Sequence, residues 1–253
     1  MSFDLSGKTA LVTGASAGIG AACARALAAA GAGKLVLVDI ERAGLEALDL
    51  SCELSIHAGD VADEDLWAGV ERDGDEIHAA VLNAGISGAA ATLTNMEFAD
   101  WRRVMAVNLD GAFLSLRTAM RLAAGGASMV LTASATGLKA EQGVAAYGAS
   151  KAAVLHLARI VAKEGAARAI RVNAIAPGGV DTAIWDDVPF FKDLLAKHQG
   201  DRAAALAAIA QGSTPLGRFA TADEIAQQAM FLLSDTAATI TGTALVSDGG
   251  YIL

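Results

Sequence analysis

The sequence predicts one doubly wound α/β domain spanning residues 1–253, and three observations carry that prediction. Short apolar, β-rich runs alternate with helix-forming stretches along the chain, which implies parallel strands joined by right-handed crossovers. No Pro-, Gly- and Ser-rich linker divides the chain, and no internal repeat appears beyond the alternation. Residues with chemical potential (Gly14, Asp39, Asp60, Asn83, Ser134, Pro177) fall at the carboxyl ends of the predicted strands, the edge on which such sheets bind ligands. With 54% hydrophobic and 19% charged residues in 253, the chain can bury a substantial core, and global disorder is excluded.

The elements follow in order. Lys8 to Thr13 is a strand that breaks into Gly14-Ala15-Ser16-Ala17-Gly18-Ile19-Gly20, and a helix runs from there to about Ala30. Gly31 to Gly33 ends that helix, and Leu35-Val36-Leu37-Val38 is a buried strand closing on Asp39. A helix near Glu41–Leu50 precedes a strand at Glu53–Ala58, then Asp60-Val61 and a helix near Asp63–Arg72. The strand Ile77–Leu82 ends in Asn83-Ala84-Gly85. A long amphipathic segment from about Asp100 to Ala123 leads to Ser128–Ser134. An Ala-rich helix carrying Tyr147 continues to Ala167, followed by a strand at Ile170–Ala176 and the turn Pro177-Gly178-Gly179. Thr243 to Tyr251 reads as a final strand and turn.

Charge and cysteine usage narrow the function. A net charge of −9 argues against a nucleic-acid or anionic-membrane surface, which needs clustered Lys and Arg. The acids between Asp60 and Glu76 read as a solvated helix and its flanks. Cys23 and Cys52 have neither metal nor redox spacing; no metal site is expected, and Cys23 among alanines reads as a small buried hydrophobe. The opening residues lack a basic region followed by an apolar core, and no apolar run approaches a membrane span. A soluble cytoplasmic protein is expected.

Two stretches carry chemistry. Tyr147-Gly148-Ala149-Ser150-Lys151 places a phenol and an ammonium four residues apart, on one face of a helix. A positive charge beside a phenol favours the phenolate, so such a pair can exchange protons near neutral pH. Alone the spacing is weak evidence, and a surface Tyr with a Lys on the next turn is the plainer alternative. The strand–glycine turn–helix at Lys8–Ala30 can hold a pyrophosphate on the backbone N–H groups of the helix start. Its spacing is Gly-x3-Gly-x-Gly, and Asp39 lies nineteen residues after Gly20. A carboxylate there can accept hydrogen bonds from the adenosine ribose and would repel a 2′-phosphate; the plainer alternative is a strand-end Asp capping the next helix.

Together these motifs resemble the short-chain dehydrogenase/reductase family over nearly the whole chain. The family's Thr-Gly-x3-Gly-x-Gly turn is Thr13 to Gly20, its Asn-Ala-Gly is Asn83-Ala84-Gly85, and its Pro-Gly turn is Pro177-Gly178. The resemblance implies a Rossmann-type domain with a mostly parallel seven-stranded sheet and helices on both faces. It implies a catalytic set of Asn108, Ser134, Tyr147 and Lys151. Tyr147 would be acid and base, Ser134 would bond the substrate oxygen, Lys151 would lower the Tyr147 pKa and hold the nicotinamide ribose, and Asn108 would position a water next to the lysine. The implied cofactor-binding residues are Gly14, Ser16, Gly18, Ile19, Gly20, Asp39, Ile40, Asp60, Val61, Asn83, Ala84, Gly85, Tyr147, Lys151, Pro177, Gly178, Val180 and Thr182. Residues 182–215 correspond to a lid over the substrate, where Trp185, Phe190, Phe191, Leu194 and Leu195 are read mainly as packing residues. Thr136, Leu138, Glu141 and Gln142 are candidate pocket residues of mixed polarity. A homotetramer is usual in the family, with tails like this one at a subunit interface.

The expected activity is NAD(H)-dependent interconversion of a secondary alcohol and its ketone, with a small molecule as substrate. Asp39 and the uncharged Ala17 favour NAD; Arg42 lies nearby and could pair with a phosphate, but reads more simply as a helix-surface arginine next to Glu41. A 3-oxoacyl thioester reductase is the nearest rival, since Pro215-Leu216-Gly217-Arg218 resembles that branch, but the acidic charge opposes an acidic carrier. A catalytically silent dinucleotide-binding regulator is the alternative from another class, and the intact four-residue set opposes it.

Overall fold

The computed structural model describes residues 4–186 and 188–253. Seven parallel strands form the main sheet: β1 (Thr9–Thr13), β2 (Lys34–Asp39), β3 (Glu53–Ala58), β4 (Ile77–Leu82), β5 (Ala123–Thr132), β6 (Arg171–Pro177) and, after two short strands β7 (Val180–Asp181) and β8 (Ala220–Thr221) that pair with each other, β9 (Ala244–Ser247). Their order is β3-β2-β1-β4-β5-β6-β9. The chain therefore winds outward from β1 to one edge and crosses back to start β4 on the other side of β1, so the strand order reverses between β1 and β4.

The helices are α1 (Gly18–Ala29), α2 (Arg42–Glu46), α3 (Glu64–Asp73), α4 (Phe98–Met105), α5 (Gly111–Leu122), α6 (Ala145–Gly165), α7 (Pro189–Lys197), α8 (Arg202–Ser213) and α9 (Ala222–Leu233). Strand alternation divides the apolar residues between two layers. Val36 and Val38 of β2 join a core with Trp67 of α3, Leu114 of α5 and Val154 of α6, whereas Leu35 and Leu37 face α1 and α9 through Leu27, Ile225 and Leu232. A third, smaller cluster joins α7 and α8 through Phe191, Ala205 and Leu206. Among the described residues, no helix is long and apolar enough to cross a membrane.

The predicted strands and most helices stand where the sequence places them, with three differences, the first being that β5 begins at Ala123, five residues before the predicted Ser128. The helix expected over Glu41–Leu50 is confined to Arg42–Glu46, because only Leu45 on it is buried, and the chain tightens to a Leu48 N–H···O=C Leu45 bond of 3.2 Å before leaving the helix. The amphipathic segment predicted near Asp100–Ala123 is not one regular helix: α4 and α5 are separated by a π-turn over Ala106–Asp110. At its exit the backbone of Gly111 lies against Val61, so close that a Cβ there would stand 2.6 Å from Val61 Cγ2. The extra residue of the π-turn carries Asn108 inward, to 1% exposure.

Trp67 is 1% exposed, and its indole N–H donates to the Val61 carbonyl at 2.8 Å. Trp67→Ala should cost about 3–5 kcal/mol of unfolding free energy, read from the midpoint shift in urea denaturation, because it leaves both a cavity and an unpaired carbonyl. A loss under about 1 kcal/mol would show that α3 does not depend on this anchor.

Candidate active site

The carboxyl ends of β1 and β4 meet at the reversal point. Thr13, the last residue of β1, accepts on Oγ1 from the backbone N–H of Asn83 at 2.9 Å and of Ala84 at 3.1 Å. Gly14 follows with φ +65°, and a Cβ on it would sit 2.9 Å from Ala84 Cα. Gly20 is tighter still: a Cβ would meet the Gly14 carbonyl oxygen at 1.9 Å. The turn is thus compact enough only for glycine at these points. It delivers α1 with no side-chain cap at Ala17, leaving N–H groups of its first turn to a ligand. Gly18 lies under Thr182, whose Cγ2 would be 3.2 Å from a Cβ at that position, so residues far apart in sequence share this crevice.

Asp39 ends β2 and braces the turn. Its Oδ2 accepts from Ser16 N–H at 3.0 Å, and its Oδ1 accepts from Glu41 N–H at 3.0 Å, so the carboxylate both holds the glycine turn and starts α2. Ile40 beside it is 67% exposed. Asp60 caps its own turn through Ala62 N–H at 2.9 Å, and Val61 is buried against α5. Pro177 ends β6, and Gly178 donates to the Ser247 carbonyl at 3.0 Å. Val180 is buried, Thr182 and Ile19 half-buried.

Four side chains gather one strand further along. Ser134 follows β5; its hydroxyl pairs with Thr136 Oγ1 at 2.9 Å and faces the Tyr147 phenol closely enough to favour the phenolate. Tyr147 occupies the first turn of α6, and Lys151 one turn later places its ammonium 5.8 Å from the Tyr147 ring centroid. The Lys151 Nζ donates to the Thr132 carbonyl at 2.9 Å. Gly85 makes room for it, since a Cβ there would stand 3.1 Å from both Lys151 Nζ and Asn108 Oδ1. Asn108 is clamped: its Oδ1 accepts from Ile86 N–H at 2.8 Å, and its Nδ2 donates to Ile86 O at 2.9 Å and to Ser150 Oγ at 3.1 Å. A cavity of about 10 Å³ beside these groups is lined by Thr13, Asn108, Ser115, Thr132 and Lys151.

Ser150 and the Ile86 backbone are parts of this assembly that the sequence reading left out, and Thr13 reads there only as the first residue of the glycine turn. Ser150 is fully buried and donates to the Tyr147 carbonyl at 2.7 Å, so it bridges Asn108 to the Tyr147 turn. A hydroxyl three residues after Tyr147 in an Ala-rich helix is its only signal in the sequence.

The electrostatics differ from the expectation that Lys151 makes Tyr147 more acidic. Burial raises the Tyr147 pKa above its ordinary value, with the Ser134 hydrogen bond pulling the other way. The ammonium stands over the ring and bonds the main chain, not the phenolic oxygen. Lys151 itself is pushed down to about 8 by burial. The array holds a phenol, a hydroxyl and an ammonium of lowered pKa within one pocket, which suits proton exchange with an oxygen placed beside Ser134. Among the described residues, no group of His, Cys, Asp and Glu could hold a metal.

Fold and crevice define a doubly wound domain with its site at the strand-order reversal, and comparison with known proteins places it more closely. A family model described as enoyl-(acyl carrier protein) reductase matches residues 14–252. D-threitol dehydrogenase of Mycolicibacterium smegmatis is 38% identical over 99% of this chain and 95% of its own. Cis-4-hydroxycyclohexanecarboxylate dehydrogenase of Sinomonas cyclohexanicum is 36% identical, covering 96% of each. The solved structure of L-sorbose reductase from Gluconobacter frateurii, complexed with NADPH and L-sorbose, superposes with a TM-score of 0.89 at 28% identity, covering 100% of this chain and 99% of that one. The chain belongs to the short-chain dehydrogenase/reductase family.

Lys151 offers a separate test of the site's strain. A lysine whose folded pKa is lowered binds fewer protons folded than unfolded between about 8 and its ordinary value of 10.5, so stability should rise as pH climbs through that window. At pH 7 and below the full cost applies, roughly 3 kcal/mol from the shift. Lys151→Met should therefore keep or raise the melting temperature at pH 7 and flatten its rise between pH 8 and 10. A destabilised, pH-sensitive variant would contradict the assignment.

Proposed function

We propose that this protein is an NAD(H)-dependent oxidoreductase that interconverts a secondary alcohol and its ketone, with Tyr147 as the proton donor and acceptor. The observation that carries this reading is the convergence of Ser134, Tyr147 and Lys151 beside the Gly14–Gly20 crevice, with Asn108 clamping the end of β4 to α6. The curated relatives named above act on a polyol and on a cyclic alcohol, which agrees with it.

The residues present fit a dinucleotide. The uncapped start of α1 and the glycine turn would take the pyrophosphate, Ile40 and Val61 would flank the adenine, and Asn83 to Gly85 would line the ribose path. Pro177, Gly178, Val180 and Thr182 would hold the nicotinamide end. The nicotinamide supplies or accepts the hydride. Ser134 would hold the substrate oxygen by a hydrogen bond, and the Tyr147 hydroxyl would give a proton to it in reduction or, as phenolate, remove one in oxidation. The raised pKa keeps Tyr147 as a phenol at neutral pH, the form that serves reduction. Lys151 would hold the ribose, and with Asn108 and the adjacent small cavity would lead protons onward. Residues 182–215 would form the lid: Trp185 stacks on Phe219 at 5.3 Å, Phe191 is buried, and Phe190 is left 53% exposed for an apolar contact.

NAD is favoured over NADP. Asp39 presents a carboxylate where a 2′-phosphate would come, Ala17 offers no cation, and Arg42 is paired with Glu46 at 3.2 Å. The thioester-reductase reading loses its cation as well, because Arg218 forks onto Glu224 at 2.7 and 2.8 Å. Assembly as a homotetramer is supported by the apolar face where α5 meets α6, with Phe113 and Ile160 48% and 44% exposed.

Tyr147→Phe should lower turnover on a panel of secondary alcohols by ~10²-fold or more while NADH still binds, because the proton donor is removed and the glycine turn and Lys151 remain. Undiminished turnover would sink the mechanism. In calorimetric titration NADH should bind at least ~10-fold more tightly than NADPH, the scale of one repelled charge, and Asp39→Ala should narrow that gap; equal affinities in the unaltered protein would refute the preference.

A further inference from the structure

The segment from Leu138 to Val144 spaces Ser134 from Tyr147, and it is held from an unexpected quarter. The Tyr251 hydroxyl donates to Glu141 Oε2. Lys139 Nζ donates to the Tyr251 carbonyl at 2.6 Å and lies 4.3 Å from the Tyr251 ring centroid. One aromatic residue is thus gripped by two charged side chains of this segment. Burial and the Glu141 carboxylate push the Tyr251 pKa up to about 12, so the hydroxyl keeps its proton throughout the neutral range.

The turn that carries Tyr251 reaches two other parts of the site. Asp248 folds it by accepting from Gly250 N–H at 2.8 Å and from Ile252 N–H at 2.9 Å. Gly249 accepts on its carbonyl from Leu216 N–H at 3.1 Å, and a Cβ on Gly250 would press on Pro215 at 2.8 Å, so the turn sits directly on the carboxyl end of the 182–215 lid. On its other side Gly178 packs against Asp248, with room for no Cβ at 2.8 Å.

We propose that Tyr251 is a positioning residue: seated on Glu141, it ties the base of the lid to the segment between Ser134 and Tyr147, so that lid and proton-transfer pair move as one unit. The link itself is geometric; its effect on alcohol binding rests on the function proposed above. A lid that closes over substrate then brings the Ser134–Tyr147 spacing to its working value, and a lid that opens relaxes it.

Hydrogen–deuterium exchange of the full-length protein tests the link without any substrate. Tyr251→Phe keeps the ring and the Lys139 contact and removes only the hydroxyl. It should speed amide exchange in 138–144 by ~5-fold or more, and Glu141→Ala should do the same across the gap in 214–218, while peptides covering β1 and α1 stay unchanged. Glu141→Gln, which keeps an acceptor for the hydroxyl, should restore most of the protection, and the Tyr251→Phe/Glu141→Ala double variant should be no looser than either single one. With cyclohexanol and D-threitol as probes, Tyr251→Phe should raise the alcohol KM by ~3–10-fold with NADH affinity unaltered. Unchanged exchange in both segments, or additive loosening in the double variant, would overturn the proposal. If no alcohol of the panel is turned over by the unaltered protein, the functional reading is what fails, and the exchange result decides the link on its own.

Discussion

Two hydrogen bonds to one hydroxyl hold the centre of this molecule. Thr13 Oγ1 accepts from the main chain of Asn83 and of Ala84, which locks the ends of β1 and β4 together where the strand order reverses. On one side of that joint the glycine turn swings into α1. On the other the chain runs through Gly85 and Ile86, the residues against which Lys151 and Asn108 are seated. The glycine-turn crevice and the Ser134–Tyr147–Lys151 group therefore share a single joint, and their relative placement does not depend on the longer loops.

The site is built at a cost in stability. Lys151 is almost completely buried, with a carbonyl oxygen and no carboxylate as its hydrogen-bond partner, and burial depresses its pKa accordingly. The same burial raises the Tyr147 pKa. A buried, polar pocket of this kind has low dielectric screening, so a negatively charged phosphate or a polarised oxygen entering it shifts both groups far more than it could in water.

Most of the architecture was legible because strand–turn–helix alternation is written in local residue types. Val36 and Val38 against Leu35 and Leu37 give an all-apolar strand, the mark of a sheet covered on both faces. The placement of Ser134, Tyr147 and Lys151 on one rim followed from the same logic. What stayed hidden depends on contacts between distant segments. Nothing in Val107-Asn108-Leu109 announces a π-turn, because the turn follows from Gly111 packing on Val61, fifty residues earlier. The direction of the Lys151 ammonium was equally invisible: sequence spacing puts two side chains on one face of a helix but does not say which carbonyl will draw the cation.

The π-turn also changes how this chain must be compared with any other. One added residue advances a helix by about 100°, so α4 and α5 run out of phase although they look continuous in sequence. A relative that lost one residue between Ala106 and Asp110 would keep its sheet, its glycine turn and its Tyr147 helix. It would swing the Asn108 amide off Ile86 and rotate either α4 or α5 out of its groove. Gap placement in these five positions is therefore a structural statement, and an alignment that treats them as ordinary helix misassigns the inward face of one helix or the other.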